Sequence, residues 1–172
     1  MKINSLIRNT IAVLTLFAAV SCNSDAPERT DYHVDYSIRI LPNQDLLDVA
    51  DLTVTYIVNG EEKTEPITGT WSNEISYNTF PSEGGFYVTR SFKKDATLTK
   101  DSYYFSLKYE TVKNIVDSKG NIISSDANSR GEVASDGVSK DNVKDLIKDK
   151  YVALSIRFVM VEKDGTIVFD AY

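Results

Sequence analysis

Cysteine and histidine are nearly missing from this 172-residue chain, each occurring once, as Cys22 and His33. A lone thiol cannot close an intrachain disulfide, so the folded part must hold together by packing. A lone histidine leaves zinc sites and Ser-His-Asp hydrolysis without the partners that such chemistry needs. His33 falls on the polar side of an alternating segment and reads as a solvated strand residue. There is no Gly-x-Ser-x-Gly elbow, no His-Glu-x-x-His pair and no phosphate-binding glycine loop. Basic residues are outnumbered, 19 Lys and Arg against 25 Asp and Glu, and they do not cluster. That balance argues against nucleic acid and anionic lipid headgroups as partners. No apolar run reaches the ~20 residues that span a bilayer. Internal repeats and long low-complexity tracts are absent too.

What the chain does have begins at its amino terminus. Lys2 and Arg8 precede Ile11 to Val20, apolar except for Thr15, and then comes Ala19-Val20-Ser21-Cys22. This order of positive charge, short apolar core and small residues before a cysteine resembles the lipobox signal of bacterial lipoproteins. The resemblance covers about the first 25 residues. It implies that residues 1–21 are a signal peptide, that Cys22 is the lipidated residue, and that 22–31 form the anchor and tether. Each buried acyl methylene contributes about 0.8 kcal/mol, so two or three chains hold a protein on a membrane stably. Asn23, where an aspartate would mark inner-membrane retention, implies the outer membrane. Asp25 and Glu28 resemble acidic signals for export to the cell surface, and a periplasmic orientation stays equally open. Removing residues 1–21 takes away two positive charges and no negative ones, making the remainder more acidic than the full chain's net −6. The remaining length, roughly 150 residues, suits one domain with a genuine core.

From residue 32 onward the dominant period is two. Tyr32, Val34, Tyr36, Ile38 and Ile40 alternate with polar residues, as a half-buried strand does. Leu52, Val54, Tyr56 and Val58 repeat the pattern and stop at Asn59-Gly60, a pair suited to a tight hairpin. The return strand through Thr64 to Thr68 carries Pro66, which predicts an edge or bulged strand. Trp71, Ile75 and Tyr77 share one parity, a core assignment, before Pro81 and Gly84-Gly85 close the segment. Phe86, Val88 and Phe92 follow, then Tyr103, Phe105, Leu107 and Tyr109. The phase breaks near Thr111, where a bulge is expected. Ser124 to Ser139 reads as a mobile Ser/Asp/Gly-rich loop. Val143, Leu146 and Ile147 fall at helical spacing after Ser139, an expected N-cap, giving a short helix near 139–150. Val152 to Met160 and Thr166 to Tyr172 alternate again around Lys163-Asp164-Gly165.

These elements predict an all-β fold over 32–172. It is an antiparallel sandwich of about seven or eight strands with one short crossover helix, resembling immunoglobulin-like or fibronectin-III-like modules. The alternative is a lipocalin-type closed barrel, suggested by Gly69-Thr70-Trp71. Asp126, Asn128 and Gly131 mimic the start of a calcium loop, but Arg130 and Gly137 occupy ligand positions. A fortuitous acidic segment is expected there, with no metal site and no cofactor. Nothing marks an enzyme. The expected function is that of a non-catalytic cell-envelope lipoprotein, held to the membrane by its anchor, that contacts another envelope protein as an accessory or adhesion-like module. The alternative is a surface carbohydrate-binding lipoprotein of a glycan-uptake system. Tyr87 and Tyr104, opposite in parity to their core neighbours, are its candidate ligand-binding residues, forming a sugar platform if they lie on adjacent strands.

Overall fold

The computed structural model describes residues 28–133, 137–147 and 151–172; the expected signal peptide, Cys22 and most of the tether lie outside them. Four long strands build the first sheet: β1 (Glu28–Pro42), β4 (Trp71–Phe80), β7 (Ser106–Val116) and β8 (Ile122–Val133), in the order β4-β1-β7-β8. Five build the second: β2 (Ala50–Val58), β3 (Glu61–Ile67), β5 (Ser82–Phe92), β10 (Tyr151–Lys163) and β11 (Thr166–Ala171), in the order β11-β10-β5-β2-β3. A minor ladder joins β6 (Ser102–Tyr103) to β9 (Val138–Ser139). Every pairing is antiparallel.

The two sheets face each other across one core, because each strand turns its apolar parity inward. Val34, Tyr36, Ile38 and Ile40 from β1 meet Val54, Phe86, Val88, Phe158 and Met160 from the second sheet, all buried. Aromatic edges cross the gap: Tyr36 lies 5.0 Å from Phe158 at 88°, and Phe86 lies 5.5 Å from Tyr109 at 74°. Such T-shaped pairs are favoured by the ring quadrupole. The Tyr77 hydroxyl of β4 donates to the Ile57 carbonyl of β2 at 2.7 Å, a polar link between the sheets. Each fully buried large side chain contributes about 1.5–3 kcal/mol of transfer free energy, which lets the fold stand on packing.

The all-β sandwich is therefore the architecture, and no ladder among the described residues closes it into a barrel. Asn59-Gly60 turns β2 into β3 with positive φ at both residues, 53° and 78°, as a hairpin of this length demands. Pro66 sits on β3, at the sheet edge. Several expectations need correction. The strands number eleven instead of seven or eight, because short ladders and β8 carry no apolar alternation. Ser124 to Ser139 is not one loop, since β8 runs to Val133 and β9 begins at Val138. Gly84 and Gly85 do not close a segment but lie inside β5. A Cβ on Gly84 would stand 2.6 Å from the Phe158 ring, so glycine lets that ring approach. The helix near 139–150 is shorter than expected: a 3-10 turn over Lys140–Asn142 leads into α2 (Val143–Leu146), and residues 148–150 lie outside the described ones. Ser139 makes no side-chain cap bond. Val143 and Ile147 still turn inward, while Leu146 is exposed. A second helix, α1 (Gln44–Val49), was not anticipated; Asn43 caps it by accepting from the Leu46 N–H at 3.2 Å.

Candidate functional site

The phase break on β7 is not a bulge at Thr111; the register irregularity along this strand lies against β8, between Ile115 and Val116. Its register against β1 runs unshifted from Leu107↔Pro42 to Val116↔His33. The break arises because two polar residues occupy inward positions, Thr111 opposite Ile38 and Lys113 opposite Tyr36. The inward parity continues polar on β8, where Arg130 stands opposite Tyr109, Asn128 opposite Thr111 and Asp126 opposite Lys113. One side of the first sheet thus presents polar side chains where the sandwich would otherwise be apolar.

These residues meet β10 and β11 in a cleft of about 340 Å³ at the open side of the sandwich. Its floor includes Tyr36, Tyr109 and Thr111, and Phe158 and Phe169 form a wall. Lys113 crosses the mouth with its ammonium 4.7 Å from the Phe169 ring centroid, 5.3 Å from that of Phe158, and 2.9 Å from Asp126. Arg130 and Asn128 line the same opening, both exposed. The Tyr36 side chain is 1% exposed, yet its hydroxyl completes no hydrogen bond among the described residues. Burial pushes its proton affinity well above the ordinary phenol, with Tyr77 and Tyr109 adding to the rise and nearby Thr111 opposing it. Tyr36 is therefore a neutral phenol at the cleft floor, its hydroxyl turned toward Thr111 but short of a geometrically complete hydrogen bond.

The residues singled out from sequence lie elsewhere. Tyr87 projects from the outer face of the second sheet between Thr55 and Ser155. Its ring carries the Arg157 guanidinium at 5.6 Å, and Arg157 pairs with Glu62 at 2.6 Å. Tyr104 is 57% exposed and follows β6; its N–H donates to Asp45 at 2.7 Å and its carbonyl accepts from the Asn43 amide. Because β5 pairs with β2 and β10, the two tyrosines are not on adjacent strands and form no shared platform. His33 is half-exposed, with Nε2 3.5 Å from Asp35. Asp126, Asn128 and Gly131 lie on a strand instead of curling around an ion, and no group of metal-ligating side chains occurs among the described residues. Trp71 is half-buried at the start of β4, its ring 5.4 Å from that of Tyr56 and tilted 47° to it, with its indole donating to Glu65 at 2.8 Å. Cys22 lies outside the described residues.

A second concavity, of about 670 Å³, opens beside α1 and is lined by Gln44, Asp48, Asp51 and Lys93. Its lysine is already engaged, donating to the Leu47 carbonyl at 2.5 Å. Four sheet edges complete the surface. β3 is guarded by Pro66 and a charge-dense sequence, β11 is six residues long, and β8 carries Asp126 and Arg130. β4 differs: ten residues with one charge, Glu74, no proline, and a register with β1 that is unshifted from Tyr77 to Trp71 and irregular only beyond, between Tyr77 and Thr79. No protein-family model, curated protein or solved structure matches the chain.

Proposed function

We propose that this chain is a lipid-anchored, non-catalytic module of the bacterial outer membrane that works by contact with another envelope protein through the β4 edge. The observation that carries the reading is that edge. An unpaired strand presents a row of free N–H and C=O groups, and proteins that must stay solitary blunt it with lysine, proline or bulges. Along Trp71–Tyr77 none of those guards occurs. An extended partner segment adding there would gain main-chain hydrogen bonds and read the alternate side chains Ser72, Glu74 and Ser76. The lipid on Cys22 would hold the domain close to partners in the same membrane, raising their effective concentration.

Glu74→Lys tests the reading, since a lysine at an open edge opposes strand addition. Glu74 is exposed and makes no side-chain bond that the fold depends on, so the change alters stability by about 0.5 kcal/mol or less. In native gels of membranes solubilised in mild detergent, the unaltered chain should migrate in an assembly and the variant as the free chain. Identical migration of the two would contradict the proposal.

A further inference from the structure

We propose that the cleft between β7–β8 and β10–β11 binds a small organic monocarboxylate built on a hydroxylated ring, at a site separate from the β4 edge. The charge count sets the sign and size of the ligand. Lys113, Arg130 and Arg157 bring three cations to the cleft; Asp126 at 2.9 Å offsets the lysine and Glu62 at 2.6 Å offsets Arg157. One positive charge is left over, and Arg130 makes no ion pair among the described residues. In a chain of net charge −6 this is a local exception to the acidic surface. A single carboxylate matches it, whereas a polyanion would meet the surrounding negative field.

The planar guanidinium suits a carboxylate in particular, because two parallel N–H donors fit its two oxygens. Behind the cations the Phe158 and Phe169 rings, 5.7 Å apart at 70°, offer an apolar wall to the face of a ligand ring. Ligand sites of this kind combine apolar walls with a few convergent polar groups. At the floor the Tyr36 hydroxyl remains without a partner although it is buried. A buried orphan hydroxyl is destabilising, and a ligand oxygen reaching it would satisfy it. The ligand is thus defined at both ends, by a carboxylate at Arg130 and a hydrogen-bonding oxygen toward Tyr36. An aromatic hydroxy acid and an acidic sugar share that chemistry.

The test is calorimetric titration of the full chain, in nonionic detergent, with 4-hydroxybenzoate, with glucuronate and with the uncharged 4-hydroxybenzyl alcohol. Saturable binding of at least one acid is expected, with the alcohol weaker by about tenfold or more, since a charge-assisted contact is lost. The tighter acid identifies the source, aromatic or sugar. Arg130→Ala should weaken binding by about tenfold or more, whereas Arg39→Ala, on the outer face of the same sheet, should leave it unchanged. Tyr36→Phe should weaken it further while the protein still melts cooperatively. No saturable binding of either acid, equal binding of the alcohol, or binding indifferent to Arg130→Ala would overturn the proposal.

Discussion

Tyr36 and Tyr77 are buried tyrosines on neighbouring strands, 1% exposed each, but only the Tyr77 hydroxyl has a partner, the Ile57 carbonyl. Replacing each by phenylalanine therefore has opposite consequences. Tyr77→Phe removes a hydrogen bond between the sheets and leaves a carbonyl short of a donor, costing about 1–3 kcal/mol. Tyr36→Phe removes an unsatisfied hydroxyl and should leave stability unchanged or slightly raised. Urea unfolding of the two variants checks this, and a larger loss for Tyr36→Phe would contradict it. Alternation in the sequence put both rings on the inner face. It could not tell their hydroxyls apart, because the partner of Tyr77 comes from the opposite sheet. Trp71 shows the same limit, since parity assigns a face but not a depth. At the first residue of an edge strand its ring is only half covered, and its indole finds Glu65.

Among the elements, α1 is tied down by one carboxylate. Asp45, in its first turn, accepts from the Lys100 ammonium at 2.5 Å and from the Tyr104 N–H at 2.7 Å. The lysine first, then the backbone donor, hold its carboxyl below the usual carboxylate range. A folded value below the unfolded one means that the carboxylate form stabilises the fold. That contribution is complete above the ordinary value of about 4 and is lost as pH falls through the lowered folded value. Melting temperature followed from about pH 6 to pH 3 should fall less steeply in Asp45→Asn than in the unaltered chain. Parallel curves would show that the pair does not anchor the helix. The sequence made α1 hard to see because six residues show little more than one helical turn. Asn43 after Pro42 was the available signal. β1, β2 and β10 were legible because each buries one face and exposes the other. β8 was not, because its side chains from Ile122 to Gly131 are exposed on both faces, and nothing selects for alternation. The cleft does leave a trace in the sequence: the phase break at Thr111 and Lys113 marks polar residues turned inward on a strand whose register with β1 is unshifted.

At the scale of the whole molecule, no helix among the described residues is long and apolar enough to cross a membrane, and in the function proposed above attachment falls to lipid on Cys22. If lipid on Cys22 anchors the chain as proposed, Cys22→Ala should abolish fatty-acid labelling and release the chain from membranes, because two or three acyl chains would supply the attachment. Undiminished labelling and retention in that variant would refute the anchor. Once anchored, the domain in this account works through the β4 edge. A photoreactive residue placed at Ser72 or Asn78, at either end of that edge, with Ser129 on β8 as control, probes it directly in living cells. The account predicts one discrete adduct from Ser72 and Asn78, lost when Glu74→Lys is added, and none from Ser129. Adducts of equal yield at all three positions, or none at the β4 positions, would contradict it.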